Sequence, residues 1–302
     1  MPLVVKPLSP IFGAEMTGAD LKSEPTRELV DAVNQTMAQY AVLVIRDQFI
    51  TDEEQIRFSR KFGPLELPPA MGTANRYQPR IHPVMYDVSN LDINGNFLPM
   101  EDLRHIGNRA NEEFHTDSSF NALPTKWSLL SARIIPPEGA DTLFADMRAA
   151  WDALPDAMRG RAKGAVAEHY FWKTRMRAGY TDITEDMRRH FPPVQHPMVC
   201  VIPESGRTAL YIGNHATHVI GWPLDEGKKF LDELNAFATQ PRFLYTHRWR
   251  PGDFVLWDNR CTLHRATKFD LFRYKRDLRR TTVNEYGPEI SSTQALGIAA
   301  GS

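Results

Sequence analysis

Residues 114–118 read Phe114-His115-Thr116-Asp117-Ser118, and with Ser119-Phe120 behind them the segment has the look of a strand. Residues i and i+2 of a strand share a face, so His115 and Asp117 would point together into the interior of a β-barrel. One imidazole and one carboxylate supply two adjacent ligands to a divalent ion. A third would complete a facial triad, leaving the remaining positions open for an oxygen-activating iron(II). Alone, a His-x-Asp pair fits two hydrogen-bonded polar residues just as well, so the surroundings decide.

Those surroundings are rich in strands. Val84 to Val88, Trp127 to Ile135 and Thr142 to Phe144 read as strands. So do Met198 to Ile202 and Ala209 to Ile212, joined at the hairpin turn Glu204-Ser205-Gly206-Arg207. Phe243 to Trp249 and Phe254 to Trp257 flank Arg250-Pro251-Gly252-Asp253, a turn of the same character. Helices are expected over 24–40, from Thr51 to Phe62, and at about 146–160, 181–191 and 224–238. Between the first two, Ala41-Val42-Leu43-Val44-Ile45 is a continuous apolar run, as in a strand buried on both faces. Many short strands with a few helices predict a mainly β protein, a double-sheet barrel or jelly roll decorated with helices. There is no strict βαβ rhythm and no Gly-rich nucleotide loop.

Among the other histidines, His264 follows the strand-like Phe254 to Arg260 and can return to the pair from a late strand. His215 and His218, three apart, compete as ligands or line a pocket; His82, His105, His169, His190 and His196 read as loop or surface residues. Downstream, Arg276, Leu278 and Arg280 alternate to one side of a strand-like stretch. A charge run is usually a solvated face. Two arginines projecting inward beside an apolar residue instead call for anionic partners, and a planar guanidinium suits a carboxylate.

Composition sets limits. The 302 residues carry 36 Lys and Arg against 37 Asp and Glu, a net charge of −1, without the basic excess of a nucleic-acid surface. No apolar run reaches the ~18 residues of a membrane span. Met1-Pro2-Leu3-Val4-Val5-Lys6-Pro7 lacks the shape of a signal peptide. Two cysteines, Cys200 and Cys261, make no disulfide framework and suit a reducing compartment, so a cytoplasmic protein is expected. No repeat or linker divides the chain, which predicts a single domain over 1–302. Within it a helical part, 1–65, would pack on the core, and 287–302 would form a flexible tail.

At the same residues the chain resembles the TauD/TfdA family of 2-oxoglutarate-dependent dioxygenases, closest to its 2,4-dichlorophenoxyacetate dioxygenase branch. The resemblance runs from Leu8 to Tyr286 through motifs in order, among them Arg60-Lys61-Phe62-Gly63-Pro64-Leu65-Glu66, Asp87-Val88-Ser89-Asn90, Phe114 to Phe120, Gly139-Ala140-Asp141-Thr142, Trp257-Asp258-Asn259-Arg260 with His264, and Arg279-Arg280-Thr281-Thr282. It implies a double-stranded β-helix, cupin-like, with His115, Asp117 and His264 on iron(II). It further implies Thr142 and Arg276 on the distal carboxylate of 2-oxoglutarate, with Arg280 near the keto-acid end and the substrate anion. Arg276 and Arg280 lie 12 and 16 residues beyond His264, and the Arg279-Arg280-Thr281-Thr282 register selects Arg276 over Lys275. The chain departs from the chlorophenoxyacetate enzymes between Glu66 and Arg109, the lid region, where Asn96 follows Asn94-Gly95 in place of their lysine.

The chemistry implied is oxidation of a small anionic substrate by O2 with 2-oxoglutarate as cosubstrate, in a homo-oligomer, a dimer or tetramer. Aryloxyalkanoates lead as substrates, ahead of taurine-like sulfonates and amino or other small carboxylic acids. Phe120 and His218, and Phe114, are expected at the substrate pocket; Trp257 and Asn259 are expected to support the His264 strand. Two other classes compete. A non-catalytic jelly-roll metal-binding protein would have no use for carboxylate anchors, and a zinc hydrolase would need neither oxygen nor 2-oxoglutarate.

Overall fold

In the computed structural model, residues 2–68, 80–102 and 104–285 are described. The early strands are β1 Val4–Pro7, β2 Ala14–Thr17, β3 Val42–Ile45, β4 Tyr86–Ser89, β5 Thr125–Ile134, β6 Thr142–Asp146, β7 Val166–His169 and β8 Val194–Pro197. The later ones are β9 Val199–Val201, β10 Thr208–Leu210, β11 Ala216–Val219, β12 Leu244–His247, β13 Phe254–Asp258, β14 Thr262–Ala266 and β15 Asp277–Asn284. The helices are α1 Arg27–Tyr40, α2 Asp52–Ser59, α3 Arg104–Ala110, α4 Met147–Asp152, α5 Asp156–Ala162, α6 Phe171–Arg177, α7 Glu185–His190 and α8 Leu224–Ala238. The protein is mainly β with helices, and no helix among the described residues is long and apolar enough to cross a membrane.

A seven-stranded sheet runs β1-β2-β3-β13-β5-β15-β4, and a three-stranded sheet runs β12-β6-β14. The apolar run at 42–45 explains how they are stacked. Val42 and Val44 join Leu130, Ala132, Val255, Trp257 and Leu278 against Phe144 of β6, the core between the two sheets. Leu43 and Ile45 face the other way, into a second core with Leu129, Leu256, Phe254 and the apolar faces of α1 and α2. A strand with helices on one side and a sheet on the other has no polar face to show, hence four buried residues in a row.

The helices start where their caps lie. Thr26 accepts from the Leu29 backbone at the head of α1, and Thr51 and Glu54 form a reciprocal capping box on α2. Gln55, wholly buried, donates from α2 to the backbone carbonyls of Leu129 and Arg279, which ties the helix to β5 and β15.

Three expectations change. The first 65 residues are not only helical: β1, β2 and β3 form one edge of the large sheet, with β2 parallel to β3. The turn at Arg250 to Asp253 does not close a hairpin. β12 pairs with β6 whereas β13 pairs with β3 and β5, so the chain crosses there from one sheet to the other. His105, His169 and His196 are buried, not on the surface. The segment 287–302 lies outside the described residues. Both cysteines are free.

Leu129 on β5 is fully buried, whereas Ile134 at the end of the same strand is 42% exposed. Leu129→Ala is expected to lower the unfolding free energy by about 2–5 kcal/mol in urea titration, against less than about 0.5 for Ile134→Ala. Equal effects at the two positions would contradict the stacking described.

Candidate metal centre

The segment 114–120 is not a strand. His115 makes a single antiparallel bridge to His264 on β14, with backbone hydrogen bonds of 3.0 and 2.7 Å in the two directions. The chain then leaves the ladder. Thr116 donates its hydroxyl to the Asn259 carbonyl at 2.6 Å, and Asp117 opens a turn in which Ser118 takes a left-handed φ of 54°. That conformation is rare outside glycine; the Ser118 hydroxyl secures it by donating to Glu66 Oε1 at 2.6 Å. A neighbouring loop passes so close that a Cβ on Gly213 would stand 3.1 Å from the Leu263 side chain and 3.4 Å from the His115 Cα, at a φ of +131°.

The ligand-type atoms of His115, Asp117 and His264 all lie within 4.8 Å of one another, and all three residues are buried. Asp117 is 4.0 Å from His115 Nε2 and 3.7 Å from His264 Nε2, and the two imidazole centroids are 4.2 Å apart. Donors about 2.0–2.2 Å from one ion stand about 3 Å apart in adjacent positions, so side-chain shifts of about 1 Å close the set. His115 Nδ1 is engaged with the Glu113 carbonyl at 2.8 Å, which directs Nε2 toward Asp117. Burial pulls both imidazoles down, His264 further because His115 is beside it, so both stay neutral as ligands must be. Two neutral imidazoles and a carboxylate on one side of a shared point fit a divalent transition metal.

Asp117 is gripped from outside. Ser128 donates to its Oδ2 at 2.7 Å, Asn259 Nδ2 donates to Ser128 at 3.0 Å, and Trp257 Nε1 donates to Asn259 Oδ1 at 3.0 Å. Trp257 also packs on His264 at 4.8 Å between ring centroids. Trp257 and Asn259 thus orient the carboxylate as well as the histidine strand, the part that outer hydrogen bonds play at metal sites. Arg280 bonds Asp117 Oδ1, and its guanidinium lies 4.2 Å over the Tyr86 ring. Burial pushes the Asp117 carboxyl up, but the Arg280 guanidinium, helped by the Ser128 hydrogen bond, outweighs it and holds the group well below the carboxylate range. Glu66 accepts from Ser118, Thr125 and Tyr86, joining the Arg280 wall to the turn.

Arg276 is buried, with no ion pair among the described residues and its Nε unpartnered; burial pulls it down to about 10. Lys275 points away, donating to the Gly95 carbonyl at 2.7 Å. Thr142 is buried and accepts from Trp249 Nε1 at 2.9 Å. Phe120 packs on Phe171 at 4.7 Å and on His215 at 5.0 Å. His218 sits beside Glu168, Nδ1 3.7 Å from its carboxylate, and Phe114 turns toward Arg265. Asn96 is in an exposed turn closed by Asp92.

Sequence reasoning passed over Ser128, Glu66 and Arg175, and left His215 as a competitor for ligation. His215 is buried and pulled well below the usual range by burial, then by Arg175 and His115, so it faces the centre without joining the ligand set. Arg175 comes from α6, a short helix with no periodic signal to announce it.

Histidines buried neutral make the protein acid-sensitive. His115, His196, His215, His247 and His264 all titrate below the usual value, and burial with His196 nearby brings His169 down to about 3. The unfolded chain takes up these protons near pH 6.5 and the folded one does not. Their contribution is therefore whole above about pH 6.5 and lost as pH falls, by up to about 1.4 kcal/mol per unit for each group. The melting temperature of metal-free protein should fall steeply between pH 7.5 and 5.5; a flat profile in calorimetry would refute the assignment.

Comparison with known proteins shows a family. The family described as "Taurine catabolism dioxygenase TauD, TfdA family" matches residues 5–282. The chain is 41% identical over 283 residues to the alpha-ketoglutarate-dependent 2,4-dichlorophenoxyacetate dioxygenase of Cupriavidus pinatubonensis, covering 93% of this chain and 98% of that one. It is 35% identical over 275 residues to the (S)-phenoxypropionate/alpha-ketoglutarate-dioxygenase of Sphingobium herbicidovorans, covering 88% and 90%. Among solved structures, AAD-2 in complex with Mn(II) and N-oxalylglycine superposes with a TM-score of 0.86 at 38% identity, covering 96% of this chain and 100% of that one. The chain therefore belongs to the TauD/TfdA family, and it is an oxidoreductase of the 2-oxoglutarate-dependent dioxygenase class.

Proposed function

We propose that the protein is an iron(II)- and 2-oxoglutarate-dependent dioxygenase that hydroxylates an aryloxyalkanoate or a similar small anionic acid, on a double-stranded β-helix of one catalytic domain. The observation that carries this reading is the gathering of His115, Asp117 and His264 within 4.8 Å, alongside a buried Arg276 guanidinium with no ion pair among the described residues. The dioxygenase relatives named for phenoxy acids support the substrate class.

His115, Asp117 and His264 would hold iron(II). Bound there, the metal would supply oxygen activation coupled to oxidative decarboxylation of 2-oxoglutarate to succinate and carbon dioxide. The chain's own residues do the rest. Arg276 offers a planar, dry guanidinium to the distal carboxylate, with the Thr142 hydroxyl as a further donor. Arg280 offsets the Asp117 charge and, through the Tyr86–Glu66 contacts, fixes the carboxylate against rotation. The buried walls around Phe120 and Phe171 keep water from the reacting carbon. Hydroxylation of a carbon bonded to an ether oxygen gives a hemiacetal, which collapses to a phenol and an aldehyde acid.

Under iron(II), ascorbate and oxygen, 4-chlorophenoxyacetate should yield succinate and 4-chlorophenol in equal amounts, well ahead of taurine; preferential turnover of taurine would overturn the substrate class. His115→Ala and Asp117→Ala should each abolish turnover. Arg276→Gln should raise the KM for 2-oxoglutarate about tenfold or more. The same change should leave the metal-free melting temperature unchanged or higher, because this guanidinium has no ion pair to lose. An unchanged KM would reassign the cosubstrate anchor.

A further inference from the structure

Arg280, Arg276 and Arg175 are the three arginines in question among the described residues, and the first two are already accounted for. Arg280 is bonded to Asp117 and stacked over Tyr86. Arg276 is the anchor proposed for the cosubstrate. The third, Arg175, has no carboxylate partner: its Nη1 donates only to Thr174 Oγ1 at 3.0 Å, and no ion pair involves it among the described residues. The basic neighbours on α6 are engaged elsewhere, Arg177 with Glu113 at 3.1 Å and Lys173 with the Ala216 carbonyl. Arg175 thus has a neighbouring hydroxyl as its acceptor and no carboxylate among the described residues.

Its place in the fold gives it a direction. The guanidinium carbon lies 4.6 Å from the Phe171 ring centroid, Phe171 packs on Phe120 at 4.7 Å, and Phe120 packs on His215 at 5.0 Å. Arg175 is half-buried, and the ring contacts through Phe171 and Phe120 lead from its guanidinium to His215. Burial, with Arg280 nearby, pulls it down to about 10, and it remains a full cation at neutral pH. A desolvated guanidinium without an anion is costly to hold, and two parallel N–H donors match a carboxylate. The cosubstrate's two carboxylates are provided for by Arg276 and by the metal, so neither needs Arg175.

We propose that Arg175 is the anchor for the carboxylate of the primary substrate, with Phe120 and His215 beside it receiving the substrate's aromatic ring. The inference rests on the reading of the protein as a dioxygenase of aryl-bearing acids, and it moves the substrate-anchoring role from Arg280 to a residue on a different element. It also gives a reason for selectivity, since a substrate with an ammonium at that end would meet like charge.

Isothermal titration of Mn(II)-loaded protein saturated with N-oxalylglycine, a non-reacting 2-oxoglutarate analogue, tests this with 4-chlorophenoxyacetate and with neutral 2-phenoxyethanol. In Arg175→Gln the phenoxyacetate Kd should rise about tenfold or more, Arg175→Lys should recover part of the loss, and phenoxyethanol binding should not change. N-oxalylglycine affinity and the melting temperature should stay at wild-type values. Undiminished phenoxyacetate binding in Arg175→Gln would overturn the inference and leave the functional reading standing. A loss confined to N-oxalylglycine would also overturn it, by making Arg175 a cosubstrate residue. Wild-type protein that binds N-oxalylglycine but no phenoxyacetate would sink the substrate reading, and this inference with it.

Discussion

Two backbone hydrogen bonds between His115 and His264 are the constraint on which the rest depends. They join segments 149 residues apart in the chain and hold the two imidazoles side by side, tilted by 46°, across a single bridge. Because the ladder ends there, Asp117 is free of strand geometry. A regular strand would set its Cα about 6.6 Å further along. The turn through Ser118 instead brings the carboxylate back toward both histidines. What a longer strand would have fixed through backbone pairing is fixed here by side chains, with Ser128, Asn259 and Trp257 linked in series behind Asp117.

Around this bridge the charges are unevenly matched. Asp117 and Arg280 offset one another, and Glu66 takes three hydroxyl donors on the same wall. Arg276 and Arg175 are left over, both desolvated and both without a carboxylate among the described residues. Structural arginines elsewhere in the protein look different. Arg80 is held by Asp87 and Asp277, Arg148 by Asp146, and Arg260 by Asp258, Glu204 and Glu285. The contrast separates arginines that the fold supplies with carboxylates from arginines that it leaves without one.

The same contrast explains what could be read from the sequence. Residue type and resemblance picked out His115, Asp117 and His264, which the fold brings together, because metal ligation permits few residue types. Periodicity located α8, and the apolar run located β3, since both obey local patterns that burial enforces. Three things were illegible for physical reasons. The stretch at 114–120 alternates like a strand, yet one bridge and a left-handed serine take it out of the sheet. The turn at Arg250 to Asp253 shows that the chain reverses there but not which sheet receives it. Arg175 sits in Lys173-Thr174-Arg175-Met176-Arg177, a basic stretch like any solvated face, and only the packing of α6 shows which cation is turned inward.

An enzyme that keeps two guanidiniums out of water without a carboxylate partner is less stable empty than it could be. That sacrifice is tolerable only if ligands return it, since an anion that pairs with Arg276 or Arg175 relieves a desolvation penalty present before it arrives. Part of the attraction is therefore built in advance by the fold, which holds both side chains between elements that cannot easily move: β15 is pinned to β5 along eight residue pairs, and α6 is clamped by the Phe120, Phe171 and Trp172 cluster. Preorganised charge of this kind lowers the cost of ordering at binding. On the proposed function, specificity for an acid substrate would then be a property of the scaffold, set by which arginines the packing leaves unmatched.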